Sequence, residues 1–473
     1  MVELLPSRAP YLGHVATRCF QNNNYQLAAA GRWQMSRSAH WGRDRVLNPT
    51  VVLPGWRVNS NNEQSATGGT LKVSIEYPVG VFKLANECIA ASNGPVAMTG
   101  GNNVFTFSGV DIPRGKKFFV RVLQQNANGV IYRQFQNNGT GSGPDPDDGW
   151  EIGTGAVADK TTSGTVASNI LSYFPVAICS MTRRNSYLIF GDSRQEGGGE
   201  IASDNTYDVG EVPRSLGRTH AYSSMAASAT LLNLFLSGNA YTNRVALGQY
   251  FSHVVNAYGI NDLNGGGRTV AQLSADRTTF ANLFPNNIVV GCTLSPLSGS
   301  SDGWFTTANQ TLGAQSILVQ NFNEVVRKGI SGEAFYWDVS DGTDPYRTGK
   351  WPVTRDAGAA TYGGIQAVFT ASIASSGIMT VSAFTSGSPL KVTDWIVSSL
   401  TGANPTSPSP CRIVSFGTGS GGAGTYQLDK LGMTVASTTM YTGGMVTVDG
   451  LHGNLIASEM IRDSGVVRTD YGA

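Results

Sequence analysis

The sequence predicts a multidomain chain. Its centre is an α/β three-layer sandwich on a parallel sheet, flanked by an N-terminal β-sandwich and interrupted by a small inserted β-domain. Three changes of texture along the 473 residues predict this. From about 50 to 135, strand-like segments of period two dominate. From about 170, short apolar runs alternate with helical stretches, the pattern of a parallel sheet covered on both faces. From about 361 to 446, short Gly-, Ser-, Thr- and Val-rich strands intervene before a turn and a helix resume. The expected units are therefore 1–170, 171–360, 361–446 and 447–473, the last returning to the central domain.

Residues 1 to about 50 read as an irregular arm, with a short helix expected in "YQLAAAGRWQMSRSA" (25–39). In "GTLKVSIEYP", Leu71, Val73 and Ile75 alternate with Lys72, Ser74 and Glu76, as in a half-buried strand. "NNVFTFSGVDIPRGKKFFVRVLQQ" reads as strand, turn, strand, with Pro113 and Gly115 at the turn. The Gly-, Pro- and Asp-dense 137–168 is a linker or loop. "YLIF" (187–190) is a short strand, and "SSMAASATLLNLFLSG" (223–238) reads as a helix with a serine cap and Gly238 at its end. "YFSHVVNAYGIND" contains the next strand. "ADRTTFANLF" is a helix, "NNIVVGCTLSP" a buried strand, and "TANQTLGAQSILVQNFNEVVRKG" a long amphipathic helix closing at Gly329. "EAFYWDVSD" is a strand, and "VDGLHGNLIASEMIRD" is turn plus helix.

Composition excludes several classes. The net charge is +1, so no global electrostatic footprint for nucleic acid exists; Arg32, Arg37, Arg43 and Arg45 read as solvated surface. The five cysteines are widely spaced and form no Cys-x-x-Cys pair, which argues against a metal or redox site; Cys179 and Cys292 read as buried small residues. No apolar run reaches the ~18 residues of a membrane span. The opening "MVELLPSRAP" lacks a basic segment followed by an apolar core, so no signal peptide is expected. No cofactor is expected.

"FGDSRQEGGGE" carries an apolar strand straight into Gly-Asp-Ser. A serine at the C-terminal edge of a parallel strand stands where such sheets place their ligands. Serine chemistry needs a base, a carboxylate to orient that base, and donors facing the oxyanion. Of the five histidines, His14 and His40 lie in the N-terminal arm, His253 reads as packed within its strand, and His220 is in a loop. His452 follows Asp449 by three residues in "VDGLHGN", so carboxylate and imidazole meet within one turn of chain.

"GDS" after one strand, "GIND" after another and "DGLH" before the last helix, in that order, resemble the SGNH hydrolases, the GDSL esterase and lipase group. The resemblance covers roughly 180–350 and 445–473 and implies a flavodoxin-like core. It implies Ser193 as nucleophile, His452 as general base and acid, and Asp449 as its orienter. It implies Asn261 and the Ser193 backbone N–H as oxyanion donors. The family's further glycine donor corresponds here to "RTHAYSSMAASATLL", with Ser224 as the equivalent, then Ser223, then Gly217. The fourth letter of the signature is replaced by Arg194, a position that varies within the family and is expected to decide little.

"EGGGE" reads as a flexible rim loop and "GGGR" (265–268) as a pocket wall rather than a phosphate loop. "DVSDGTDP" (338–345) reads as a turn rather than a calcium loop. Trp304, Trp337 and Trp351 are candidates for sugar stacking or core. The 361–446 segment, with "GTGSGGAGTYQL" and "MTVASTTM", resembles β-modules of bacteriophage tail and fibre proteins. The expected function is therefore a serine esterase removing O-acetyl groups from a polysaccharide as a virion-associated enzyme. An acylated glycan would be its substrate, and other virion proteins or further copies of the chain its partners. The alternative is a structural or receptor-binding virion protein with an inactive domain. A lipase is disfavoured by the polar, glycine-rich loops.

Overall fold

The computed structural model describes residues 9–27, 32–59, 61–134, 145, 147–168, 171–198, 200, 208–237, 241–304, 306–352, 367–392, 394–397, 411–429, 434–442, 446–447 and 449–469. Gly199, Gly238, the expected start of the insertion at 361 and part of the 137–168 linker lie outside them.

The centre is a six-stranded, entirely parallel sheet: β1 (Cys19–Phe20), β2 (Ser186–Gly191), β3 (Ala221–Ser224), β4 (His253–Ala257), β5 (Ile288–Cys292) and β6 (Phe335–Trp337), in spatial order β1-β3-β2-β4-β5-β6. Every residue of β2, β3 and β4 is buried, as expected where helices cover both faces. Helices α1 (Glu211–Gly217), α2 (Val270–Asn282), α3 (Ala314–Lys328) and α4 (Leu455–Ser464) supply the cover. Thr269 and Gln272 form a capping box that starts α2. Gly329 ends α3 at φ +96°, a conformation that glycine adopts without strain. One apolar cluster includes Leu188, Phe190, Val254, Phe280 and Phe322; a second, on the other face, includes Tyr187, Ile189, Val255, Val290 and Trp337.

The N-terminal region is β-rich, and its two largest sheets are antiparallel. One has the order Tyr11–His14, Ala177–Thr182, Thr50–Pro54, Asn102–Thr106. The other runs Phe82–Leu84, Gly69–Glu76, Lys117–Asn126, Trp33–Trp41, Gly149–Gly153. Residues from both contribute to one apolar core: Val51, Leu53, Ile178 and Phe105 from the first, Val73, Val120 and Val122 from the second. The helix expected in 25–39 is not formed among the described residues of that stretch. Trp33–Trp41 is a nine-residue strand between two partners. Its two faces are both covered, so Gln34, Ser36 and Ser38 are as buried as Met35 and Ala39, although the sequence alternates Trp33, Met35, Ala39 and Trp41 with Gln34, Ser36, Ser38 and His40. The alternation at 69–76 is likewise incomplete. Glu76 is buried because Arg37 and Arg121 each reach its carboxylate at 2.8 Å. Arg37 and Arg43 are thus half-buried, while Arg32 and Arg45 are exposed.

The arm is not a separate appendage. β1, from within the first 20 residues, is hydrogen-bonded to β3 of the central sheet. Buried ion pairs cross the same boundary: Arg244–Glu63 at 3.1 Å and Arg133–Glu196 at 3.3 Å. The 361–446 segment, where described, is a closed six-stranded barrel in the order Val368–Ile373, Ile378–Ser386, Gly424–Leu428, Cys411–Phe416, Trp395–Val397, Val435–Thr442. Phe369, Met379, Ile413, Tyr426 and Met440 fill it, as side chains fill small barrels generally. From Val446 the chain re-enters the central domain, and α4 follows.

Candidate active site

β2 ends at Gly191 and the chain turns at once. A Cβ on Gly191 would come within 2.6 Å of Gln195, so the tight return needs glycine. Asp192 caps the single helical turn Ser193–Glu196, its carboxylate accepting from the Arg194 N–H at 3.1 Å, an interaction generally worth about 1 kcal/mol. Gly197, at φ +89°, closes the turn. The Gly-Asp-Ser motif is therefore a strand end, a cap and a presented hydroxyl.

Ser193 Oγ lies 2.8 Å from His452 Nε2, across 259 residues of sequence. His452 Nδ1 lies 2.7 Å from Asp449 Oδ2. Asp449 Oδ1 accepts from the backbone N–H groups of Leu451 at 2.9 Å and His452 at 2.7 Å. Partial burial pushes the Asp449 carboxyl up, but the hydrogen bonds from the His452 side chain and backbone outweigh it and bring it down to about 2. An ionised carboxylate only accepts. Nδ1 of a neutral His452 therefore carries the proton, and Nε2 is left to accept from the Ser193 hydroxyl. Ser193 is 7% exposed and the His452 side chain 22%, so the pair is reachable but mostly shielded.

The loop that carries His452 has hardly any regular structure among its described residues. One isolated bridge joins Thr447 and Gly453. The Thr447 hydroxyl donates to the His452 carbonyl at 2.8 Å and accepts from the Gly450 N–H at 2.9 Å. The Gly450 carbonyl accepts from Trp351 Nε1 at 2.9 Å and from the Ser298 N–H at 3.1 Å. Gly450 has φ +77°, and a Cβ there would overlap the Ser298 carbonyl and the Trp304 ring. Trp351 is fully buried, Trp337 is core, and Trp304 is half-buried beside this loop.

Asn261 sits in the first turn of the short helix Ile260–Asn264. Its side-chain amide donates one N–H to the Thr230 carbonyl at 3.1 Å. Its neighbour Asp262 accepts from the Leu232 N–H at 3.0 Å, capping the next short helix. Ser224 does not stand where the family comparison put it. The expected helix at 223–238 is instead the end of β3, a loop, and a helix confined to Leu232–Phe235. Ser224 pairs with Ile189 inside the sheet, four residues before Ser193, and its carbonyl accepts from the Gln21 N–H. Ser223 gives its hydroxyl to the Val176 carbonyl at 2.7 Å, and Gly217 ends α1 beside Asp208. The chain reaches the helical turn of Ser193 later, at Ser228–Thr230. There Ser228 donates its N–H (2.7 Å) and its hydroxyl (2.6 Å) to Glu196. Ala229 has φ +60°, and its N–H has no acceptor among the described residues.

Two further expectations change. "EGGGE" is not a free rim where it is described. Glu196 binds Asn23 and Ser228, and Glu200 binds Arg214, the Gly210 N–H and Ser458 of α4. Gly198 packs against Ser193 and His452, where a Cβ would stand 3.2 Å from the imidazole. Arg194 is also not indifferent: it is buried and donates to the carbonyls of Leu451, Ser295 and Pro296. Nothing local in the sequence marks that role, because all three acceptors are backbone atoms 101 or more positions away.

The remaining histidines are occupied elsewhere. His14 bonds to the Tyr222 carbonyl and His40 to the Thr17 carbonyl, and burial pulls their imidazoles down to about 4 and about 3. His253 is packed within β4. His220 lies beside Thr219 and against the Tyr187 ring. In "DVSDGTDP", a short helix at Val339–Thr343, Asp338 and Asp341 are neutralised by Arg327 and Arg347. "GGGR" folds back on Asn261, whose carbonyl accepts from the Gly266 N–H, and Arg268 pairs with Asp276. All five cysteines are buried thiols, and no cluster of metal-ligating side chains exists among the described residues. No described helix is long and apolar enough to cross a membrane.

No family model matches this chain, and no curated protein matches it. Solved structures do. A member of the lipolytic G-D-S-L family from Veillonella parvula is 14% identical, over 34% of this chain and 81% of that one, with a TM-score of 0.24. A catalytic mutant of an acetylxylan esterase from Geobacillus stearothermophilus is 12% identical, over 35% and 80%, at 0.26. A family two carbohydrate esterase from Clostridium thermocellum, solved with cellohexaose, is 10% identical, over 67% and 87%, at 0.24.

Proposed function

We propose that the protein is a serine ester hydrolase acting on an acylated polysaccharide, with Ser193 as nucleophile, His452 as base and acid, and Asp449 as orienter. The observation that carries this is the unbroken chain Ser193 Oγ, His452 Nε2, His452 Nδ1, Asp449 Oδ2, with links of 2.8 and 2.7 Å, at the C-terminal edge of a parallel sheet. Ser193 Oγ adds to the acyl carbonyl carbon while its proton passes to Nε2. The tetrahedral oxyanion collapses, the C–O bond to the sugar breaks, and Nε2 protonates the departing alkoxide. Water then attacks the acyl-serine, giving its proton to Nε2. The acid is released and the proton returns to Ser193. Asp449 stays ionised throughout and stabilises the imidazolium.

The oxyanion donors in this reading are the Ser193 N–H, the second N–H of the Asn261 amide, and the Ala229 N–H in place of Ser224. Ala229 adjoins Thr230, whose carbonyl holds the Asn261 amide, and Ser228, which holds Glu196 of the nucleophile turn. What supports a glycan substrate is a half-buried Trp304 beside the base loop and two β-rich regions in the chain, one before Ser193 and one inserted before Asp449. The virion setting rests on the sequence texture of the 361–446 insertion.

Release of acetate from p-nitrophenyl acetate and from O-acetylated glycans, in wild type and Ser193→Ala, tests the reading. We expect turnover that falls by about four orders of magnitude or more in the variant. Equal rates in both would favour the non-enzymatic alternative.

A further inference from the structure

Arg194 immediately follows the nucleophile and is 4% exposed. Its Nε donates to the Leu451 carbonyl at 2.9 Å, one nitrogen of its fork to Ser295 at 2.8 Å, and the other to Pro296 at 2.9 Å. No carboxylate touches it among the described residues. Glu211, Asp192 and Asp449 act on it only through space, and burial holds its guanidinium below the usual arginine range. Its flat face lies near the Trp351 ring, 5.9 Å from the centroid, and Trp351 itself holds Gly450. A buried cation spent wholly on three backbone carbonyls is costly unless the loops it joins must be held in register. Those loops are the exit from β5 and the turn between Asp449 and His452.

On the esterase reading above, we propose that Arg194 is a positioning residue: one side chain, covalently adjacent to the nucleophile, sets the position of the base loop relative to Ser193. The reach is short on both sides. Ser193 and Arg194 share a peptide bond, and Leu451 and His452 share another. The guanidinium therefore closes a small ring through Ser193, His452, Leu451 and Arg194. Displacement of the base loop stretches the Arg194–Leu451 bond and the Ser193–His452 bond together. Lysine cannot substitute, because a single ammonium on a flexible stem does not present three donors in one plane. Leucine or methionine would leave three buried carbonyls without donors.

The test compares wild type, Arg194→Lys and Arg194→Met. Three quantities are measured: kcat and KM for p-nitrophenyl acetate, the rate of serine labelling by a fluorophosphonate, and the final labelling stoichiometry. We expect Arg194→Lys to lower kcat and the labelling rate per labelled site by about 100-fold, the scale of loss for a catalytic group displaced by about 1 Å. KM should move by less than about threefold, and Arg194→Met should lose more. A variant that is only partly folded gives a lower stoichiometry, but its rate per labelled site remains readable. The proposal is overturned if that rate equals the wild-type rate in both variants, since lost stability alone removes sites without slowing them. A wild type that neither turns over nor labels at Ser193 defeats the esterase reading instead. A wild type that does both, with unchanged variants, defeats only the role of Arg194.

Discussion

Ser193 leaves the end of a central strand in which every residue is buried, and its helical turn is gripped from the N-terminal region through Arg133 and Asn23 on Glu196. His452 sits between Val446 and α4 on a stretch with a single isolated bridge. It is held by hydrogen bonds to the carbonyls at 450, 451 and 452 from Trp351, Arg194 and Thr447. The first half of the site is placed by a sheet that the fold requires anyway. The second is placed by a handful of side-chain hydrogen bonds to its backbone. Buried strands open only with the whole domain, whereas loops held by a few bonds open locally. The base side should therefore fail under small changes that leave the fold intact.

The sharpest way to break that contrast is Asp449→Asn. It keeps the shape of the loop and removes the charge that fixes the His452 tautomer. We expect kcat to fall by about 10⁴-fold, with the domain still folded at pH 7. The Asp449 carboxyl is held at about 2, below the ordinary value of 3.8. Its contribution to stability is therefore present above pH 4 and lost as pH falls towards 2. Urea melts of wild type and variant should differ most above pH 4 and converge near pH 2. An equal difference at both ends would show that the carboxylate charge does not stabilise the fold.

Gly450→Ala comes next. The new Cβ meets the Ser298 carbonyl and the Trp304 ring at a backbone angle that disfavours alanine. We expect kcat to drop by about 100-fold, while far-UV circular dichroism stays as in wild type. Cooperative unfolding of the whole domain by this one methyl group would show that the loop is as integral as β2, and the contrast would fall.

The smallest effect lies on the nucleophile side, in stability rather than rate. Burial pushes Asp192 up to about 7, Arg194 and its N–H pull it down, and Glu211 and Asp262 add to the rise. Between pH 4 and 7 the unfolded chain holds this carboxyl ionised while the folded one holds it protonated. Stability therefore falls as pH rises through that window. Asp192→Asn retains the oxygen that caps the turn. It should raise the melting temperature at pH 8 and leave it unchanged at pH 4, by calorimetry. A lower melting temperature at pH 8 would mean that the charge itself is needed there.

Much of the central domain was legible because its signals are local. β2, β4, β5, α2 and α3 fall where apolar runs and helical spacing put them, and α4 follows "DGLH" as read. The failures are equally specific. The helix reading of 25–39 follows the alanines at 28–30 and passes over the alternation of Trp33, Met35 and Ala39 with Gln34, Ser36 and Ser38, which marks the strand Trp33–Trp41. The 223–238 stretch was misread because alanines and leucines favour helix until β2 recruits Ala221–Ser224 as a parallel neighbour. The expectation at Ser224 rests on that helix, whereas the structure places Ser224 at the end of β3. The closed barrel was legible as a small β-unit, though its closure was not.

The sequence by itself determined that a serine stands at a strand edge and that a carboxylate and an imidazole arrive together three residues apart, because capping, turning and i to i+3 contacts act within one turn of chain. Only the tertiary structure decided that these meet across 259 residues, that β1 joins the central sheet, and that Arg194 ties the base loop. Those outcomes depend on backbone carbonyls and buried faces, which every residue type supplies alike and which acquire meaning only once distant segments are packed together.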